Sequence, residues 1–350
     1  MITPSPTQLQ PEVWQKELAQ AVSDPAELLK ILELPPDLLE SVRRAARSFP
    51  LRVTHHYLSL IRHADPADPL LRQILPLDAE NHFVKGFTTD PVGDHAAALG
   101  AGILHKYAGR ALLITTGACA IHCRYCFRRH YPYGQDNAVR HWDSMLQTLR
   151  TRPQINEVIL SGGDPLSLSD QRLAQLVLDL EQIQHLKRLR IHTRLPLVLP
   201  SRITSNLLKT LSDSPLHCSI VLHCNHPNEL AEQLRIPLNR LRQGSITLLN
   251  QAVLLRGVND SLDTQVSLSE RLFEFGVLPY YLHLLDPVAG AAHFAVPDEL
   301  PAQIALGLEN ALPGYLVPKI VREIPGTASK TPLHRWSNPH SGATPCGATD

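Results

Sequence analysis

Little in this chain draws it toward a charged partner. Lysine plus arginine matches aspartate plus glutamate, 33 of each, so the formal net charge of the 350 residues is zero. No overall field recruits nucleic acid or an anionic membrane, although a local basic patch is compatible with a neutral total. Long apolar runs are missing, and no stretch approaches the roughly 18–20 residues that a bilayer span needs. The first ten residues are polar and hold two prolines, with no basic segment leading into an apolar one, so they do not read as a secretory signal. No internal repeat of fixed period and no low-complexity tract is present. The expectation is a cytoplasmic protein with neither a membrane nor a nucleic-acid partner. Cysteine is scarce, six residues in all. In a reducing compartment these do not imply disulfides, and a clustered subset points to metal binding or redox chemistry.

What is present is an ordinary apolar fraction, 43%, enough to bury a core, in a chain long enough for one large domain with an appendage or for two domains. Residues 11–75 read as short helices. Val13, Trp14, Leu18 and Val22 recur at helical spacing, and Asp24-Pro25 is a helix start, with aspartate as cap and proline at the first helical position. Further helices are expected over residues 36–49 and 65–76. With no site-like cluster, residues 1–90 read as an α-helical cap that serves packing and stability. From about residue 110 β-branched and leucine runs alternate with amphipathic segments. Strands are expected at 111–116, 156–161, 188–193, 217–223, 245–250 and 277–284, with a last one near 315–323. Helices are expected at 170–183, 201–211, 228–241, 262–275 and 300–311. Six βα units with short connections argue for a parallel sheet. Polar residues just past each strand end favour a complete or partial α/β barrel over an open doubly wound sheet. The tail 337–350, rich in Ser, Pro, Gly and Thr, reads as flexible.

Cys119, Cys123 and Cys126 fall within eight residues, directly after the first of these strands. Zinc prefers paired ligands with a second pair farther on; here His122 or His130 would have to complete a set, with Cys218 and Cys224 the next cysteines. Three thiolates in one loop suit an iron–sulfur cluster better, because they hold three irons of a four-iron cubane and leave one open. Farther along, Ser161-Gly162-Gly163-Asp164-Pro165 ends the second strand, with glycines that let a ligand approach the backbone; the same residues also make a plain turn. Lys330, in a Gly/Ser/Thr-rich loop after the last strand, is a candidate Schiff-base nucleophile.

The Cys-x3-Cys-x2-Cys loop, placed after a barrel strand and followed by Gly-Gly, resembles that of the radical S-adenosylmethionine superfamily. Taken with Arg128-Arg129, Ser161 to Leu166, His223 to Glu229, Asn250 to Asp260 and Lys330-Thr331-Pro332, it resembles the lysine 2,3-aminomutase family over residues 85–335. The resemblance implies a partial (β/α)6 barrel, residues 91–336, that carries a [4Fe-4S] cluster on Cys119, Cys123 and Cys126. It implies S-adenosylmethionine on the open iron and on Ser161, Gly162, Gly163 and Asp164, with pyridoxal phosphate on Lys330 and contacts from Tyr107 and Arg110. Arg128 would grip the substrate carboxylate, and Asp286 and Glu323 would receive the side-chain ammonium. Arg129 would be a solvated or phosphate-facing neighbour. The implied reaction removes a hydrogen from C3, moves nitrogen from C2 to C3 and returns the hydrogen, on free L-lysine, with an external one-electron donor. Glu323 and His283 stand where the free-lysine enzymes carry aspartate and tyrosine. Local details such as Tyr280-Tyr281-Leu282-His283-Leu284-Leu285-Asp286 look closer to the short proteobacterial branch associated with elongation factor P. There the product, (R)-β-lysine, is attached to that factor by a separate ligase. The zinc-binding tail and tetramer of the catabolic enzymes are not implied for a chain with only Cys346 after Lys330; another oligomer is compatible.

Two other readings remain at this point. An aminomutase of the same class could act on arginine, since paired carboxylates suit a guanidinium, whereas glutamate would meet like charge. Alternatively, the chain could be a zinc-stabilised binding module for a translation factor.

Overall fold

The computed structural model describes residues 12–100, 102–134 and 138–335. The expected flexible tail, with Cys346, lies outside the described residues. Ten strands form one sheet in chain order: β1 Ala98–Gly100, β2 Ile103–Tyr107, β3 Arg110–Thr116, β4 Glu157–Gly162, β5 Arg188–Thr193, β6 His217–Leu222, β7 Thr247–Leu254, β8 Leu278–Leu284, β9 Lys319–Arg322 and β10 Thr331–Pro332. Neighbours from β3 to β9 run parallel. β1–β2–β3 at one edge and β9–β10 at the other are antiparallel.

The strand order never reverses. Right-handed crossovers taken always in one direction put every helix on the same face of the sheet. A doubly wound sheet needs a reversal to cover both faces, so the order is that of a barrel, and no ladder joins β1 to β10 among the described residues. Side-chain alternation separates the two faces. Leu189 and Ile191 of β5, Ala252 and Leu254 of β7, and Leu282 and Leu284 of β8 join the apolar core. Their neighbours Arg190, His192, Gln251, Val253, Tyr281 and His283 line an interior cavity.

Outer helices start where capping residues allow. Ser169, Thr204 and Ser261 accept from the backbone amides of Arg172, Leu207 and Thr264 and open Asp170–Glu181, Ser205–Ser212 and Leu262–Glu274, each satisfying a donor that has no partner within its helix. The helix expected from residue 201 therefore starts at Ser205, after a 3-10 turn at Pro200–Arg202. The one expected from residue 228 is two 3-10 turns followed by Arg235–Gln243.

The N-terminal region is helical as expected, in shorter pieces: Val13–Ala19, Pro25–Ile31, Leu39–Ser48, His55–Leu58 and Pro69–Arg72. Asp24 caps the second through the Ala26 amide. Val22 is not on the first helix; it bridges Val53 in a short antiparallel contact. The segment 65–76 yields one helical turn, because Asp68 accepts from the amides of Leu70 and Leu71 only after Pro66 and ahead of Pro76. One buried apolar cluster runs from Trp14 and Val22 through Leu160 to Ile320, so the helices share the core of the sheet.

Candidate active site

The cysteine loop follows β3 and is held from below by the N-terminal helical region. The His122 amide donates to Arg52 O at 2.9 Å and the Arg124 amide to Gln73 O at 2.9 Å. Arg124 is fully buried; its Nε and Nη2 donate to the two oxygens of Glu80 at 2.8 and 2.6 Å. Arg129 Nη2 reaches the same carboxylate at 2.7 Å, and its side chain is 2% exposed. Arg129 is thus neither solvated nor phosphate-facing; two buried guanidinium groups share one buried carboxylate, which locks both ends of the loop. The helical region accordingly does more than pack: residues 49–80 shape the loop that presents the cysteines.

Cys119, Cys123 and Cys126 are unpaired and half-buried, and all three line the cavity, whose volume is about 480 Å³. Burial and the neighbouring Cys126 push the Cys119 thiol well up, and burial and Cys123 push Cys126 up to about 11. Such thiols stay protonated in water and give up the proton to a metal. The histidines that could complete a zinc set are otherwise engaged. His122 Nδ1 meets Pro50 O at 2.8 Å and His130 Nε2 meets Ala289 O at 3.0 Å. Among the described residues no three His, Cys, Asp or Glu side chains converge on a single-ion position. Three cavity-facing thiols on one loop, without an imidazole or carboxylate beside them, fit a cluster with an open iron rather than one ion.

The glycine turn after β4 is stitched to this loop. The amides of Gly163 and Asp164 donate to Thr116 O at 2.6 Å and Ala118 O at 2.8 Å. A Cβ on Gly163 would lie 2.4 Å from Ala118 O, so no larger residue lets the two segments meet. The buried Asp164 carboxylate accepts from the Thr193 hydroxyl and from the amides of Leu166, Arg194 and Leu195. Asp164 therefore organises three strand ends, and its carboxylate is already saturated. Ser161 remains beside the substrate arginine: Arg128 Nη1 donates to its hydroxyl at 3.2 Å.

A chain of charges crosses the cavity from Arg128 to Lys330. Arg128 Nε donates to Asp94 at 2.7 Å, and Asp94 pairs with Lys106 at 2.7 Å. Lys106 lies 3.7 Å from Glu323, which pairs with Lys330 at 2.5 Å. The Tyr107 hydroxyl donates to the other Glu323 oxygen at 2.7 Å. Burial alone would raise both acids, but Arg128 with Lys106 holds Asp94, and Lys330 holds Glu323, below their usual ranges. Asp286 lies on the same wall with no side-chain partner among the described residues. Burial pushes it up to about 7, with Lys330 pulling down and Glu323 pushing further up. Arg110 stacks 4.4 Å over the Tyr107 ring and has no carboxylate partner among the described residues, which leaves a cation suited to a phosphate group. The Lys330 amine, Arg110 and the Tyr107 and Tyr281 rings on one wall fit pyridoxal phosphate. His192, His223 and His283 are held uncharged by burial, His223 at about 3.

All thirteen residues expected from the sequence line this one cavity. Asp94, Glu80 and Gln73 escaped the sequence reading. Arg194 and Glu229 were visible only as parts of strand-end and His223-to-Glu229 patterns, without a role.

The radical SAM superfamily matches residues 113–260. An L-lysine 2,3-aminomutase of Escherichia coli (strain K12) is 47% identical over 92% of this chain and 94% of that protein. The chain belongs to the L-lysine 2,3-aminomutase family. The Haemophilus influenzae protein of that name is 46% identical over 91% of this chain and 94% of its own length. The Clostridium subterminale protein is 34% identical over 91% and 77%. The Escherichia coli alignment spans 324 residues, more than the motifs alone delimit, so family likeness takes in much of the helical region beneath the cysteine loop. No described helix is long and apolar enough to cross a membrane.

Proposed function

We propose that this chain converts free L-lysine to β-lysine by a 2,3-amino shift, with a [4Fe-4S] cluster on Cys119, Cys123 and Cys126, S-adenosylmethionine beside it, and pyridoxal phosphate on Lys330. The observation that carries the reading is that the three thiols and the Lys330 amine open onto one cavity. When bound, the cluster with S-adenosylmethionine supplies a carbon radical that takes hydrogen from C3, and pyridoxal phosphate holds the migrating nitrogen.

The protein's own residues set the substrate between two ends. Arg128 receives the carboxylate, for which a planar guanidinium is the natural donor, and Asp94 fixes its plane. Asp286, unpaired on the wall near Lys330, receives the side-chain ammonium. Glu323 is the second acceptor, shared with Lys330 and Tyr107. Neutral histidines add no competing cation to this wall. The ribbon of buried ion pairs keeps the cavity shaped before substrate arrives, so little reorganisation is left for the reactive step.

Ser161, Gly162, Gly163 and Asp164 serve S-adenosylmethionine chiefly by holding the turn that faces it. The product would be the β-lysine that a separate ligase attaches to elongation factor P. This part rests on the local sequence likeness to that branch and on the higher identity to the Escherichia coli relative than to the clostridial one. The test is anaerobic turnover of L-lysine by reconstituted protein with dithionite and S-adenosylmethionine, the products separated by chromatography. β-Lysine is expected, with arginine a poor competitor. Zinc without iron or sulfide, and no turnover, would overturn the reading.

A further inference from the structure

Arg194, the first residue after β5, is 5% exposed. Its Nη1 lies 2.7 Å from Cys123 Sγ and 2.8 Å from the Tyr125 hydroxyl. Its Nη2 donates to Glu229 at 2.8 Å, to Gln73 Oε1 at 2.7 Å and to the Tyr57 hydroxyl at 3.0 Å. Glu229 is itself anchored. Its Oε1 accepts from the amides of Asn225 and His226 and from Gln73 Nε2. The backbone of Arg194 is tied to Asp164 at 2.7 Å. A guanidinium so fully held has one orientation, and that orientation points a charged N–H at a single cysteine of the loop. Nothing in the fold requires a cation there. An apolar residue would pack in this buried site without the Glu229 counter-charge, and a buried ion pair is weak evidence of stabilisation for its own sake.

We propose that Arg194 is a positioning residue that sets the reduction potential of the cluster through Cys123, with Glu229 as its counterweight. The proposal rests on the reading that Cys119, Cys123 and Cys126 hold the cluster. The redox step is the addition of one electron from an external low-potential donor to the oxidised cluster, which makes the cluster more negative by one charge. A fixed positive charge donating to one of its thiolates stabilises that reduced form and raises the potential. Glu229, paired with the guanidinium, offsets part of the effect. The two residues therefore act with opposite sign on one quantity.

The experiment is an EPR-monitored redox titration of anaerobically reconstituted protein with dithionite, alongside iron and sulfide analysis, on wild type, Arg194→Met, Arg194→Lys and Glu229→Gln. Arg194→Met is expected to lower the potential by a change on the order of tenfold in the oxidised-to-reduced ratio at fixed potential. Arg194→Lys should stay near wild type, and Glu229→Gln should move the potential upward. An unchanged potential in Arg194→Met with full iron content overturns the proposal, as does a shift of the same sign in Arg194→Met and Glu229→Gln. If Arg194→Met fails to retain iron, the Arg194→Lys and Glu229→Gln pair decides. Wild-type protein without any iron–sulfur signal would instead fail the cluster reading on which the proposal stands.

Discussion

The Lys330 ammonium lies 2.5 Å from one oxygen of Glu323, and the Tyr107 hydroxyl donates to the other. One carboxylate thus serves two groups from opposite edges of the sheet, and its length matters. Glu323→Asp draws the carboxylate back by one methylene, so it cannot hold both partners at these distances. We expect Glu323→Asp to raise KM for lysine several-fold and Glu323→Ala to raise it by more than tenfold, the order of one lost charged hydrogen bond. Lys330→Ala should abolish both turnover and borohydride trapping of pyridoxal phosphate while leaving the iron–sulfur signal intact. Steady-state kinetics and mass spectrometry of the reduced protein check these outcomes.

Asp286 gives the pH dependence. Its carboxyl is raised from 3.8 to about 7 in the folded protein. The carboxylate that receives an ammonium is therefore present above about 7 and lost below it. We expect kcat/KM for lysine to fall as pH drops through about 7, and Asp286→Asn to remove this limb and lower kcat/KM at pH 8. Stability runs the other way. A raised folded value means that the contribution is full below 3.8 and is lost as pH rises toward 7. Unliganded Asp286→Asn should therefore be more stable than wild type at pH 8 and equal to it near pH 3, as read by urea midpoints.

Asp94 touches no substrate in the proposed arrangement, yet it joins Arg128 to Lys106. Asp94→Asn keeps the shape and removes the charge that fixes both cations. The expected result is a rise in KM for lysine of roughly tenfold or more, as for removal of a buried charged partner. A short-chain carboxylate inhibitor should lose affinity in parallel. Unchanged inhibitor binding would show that Asp94 does not position Arg128.

Glu80 accepts from both Arg124 and Arg129 and is buried with them. Glu80→Ala leaves two guanidinium groups buried without their counter-charge, at a loss of about 3–5 kcal/mol. The urea midpoint should fall accordingly, and iron retention after desalting should drop even though no cysteine is altered. Cys119→Ser, Cys123→Ser and Cys126→Ser are expected to lose the cluster with the urea midpoint nearly unchanged.

The barrel core was readable because parallel strands buried on one side are short, apolar and bounded by polar ends. Residues 188–193 were expected as a strand and form β5 at those bounds, and β3, β4 and β8 deviate by a residue at one end or both. β2 was not expected, since Ile103-Leu104-His105-Lys106-Tyr107 lacks alternation and gains its strand geometry by pairing with β3. The cysteine loop and Lys330 were legible from spacing. Glu80 and Asp94 were not. Their partners lie 44 and 34 residues away, in segments with no periodic pattern, and only the fold brings a lone acid to a lone arginine across such distances. Arg194 was visible as a polar residue past a strand end, but its aim at Cys123 depends on Gln73 and Tyr57 from another part of the chain.

The sheet has two free edges, and what spans them is not backbone. Tyr107 and Lys106 on β2 reach Glu323, just past β9, across 216 residues of sequence from Tyr107. Every other junction between neighbouring strands is a ladder of amide and carbonyl pairs that must break together. This junction is a hinge line fastened by a phenol, an ammonium and one carboxylate, all side chains with rotatable stems. Parting it needs the least work of any strand boundary in the molecule, and the work falls as ionic strength rises.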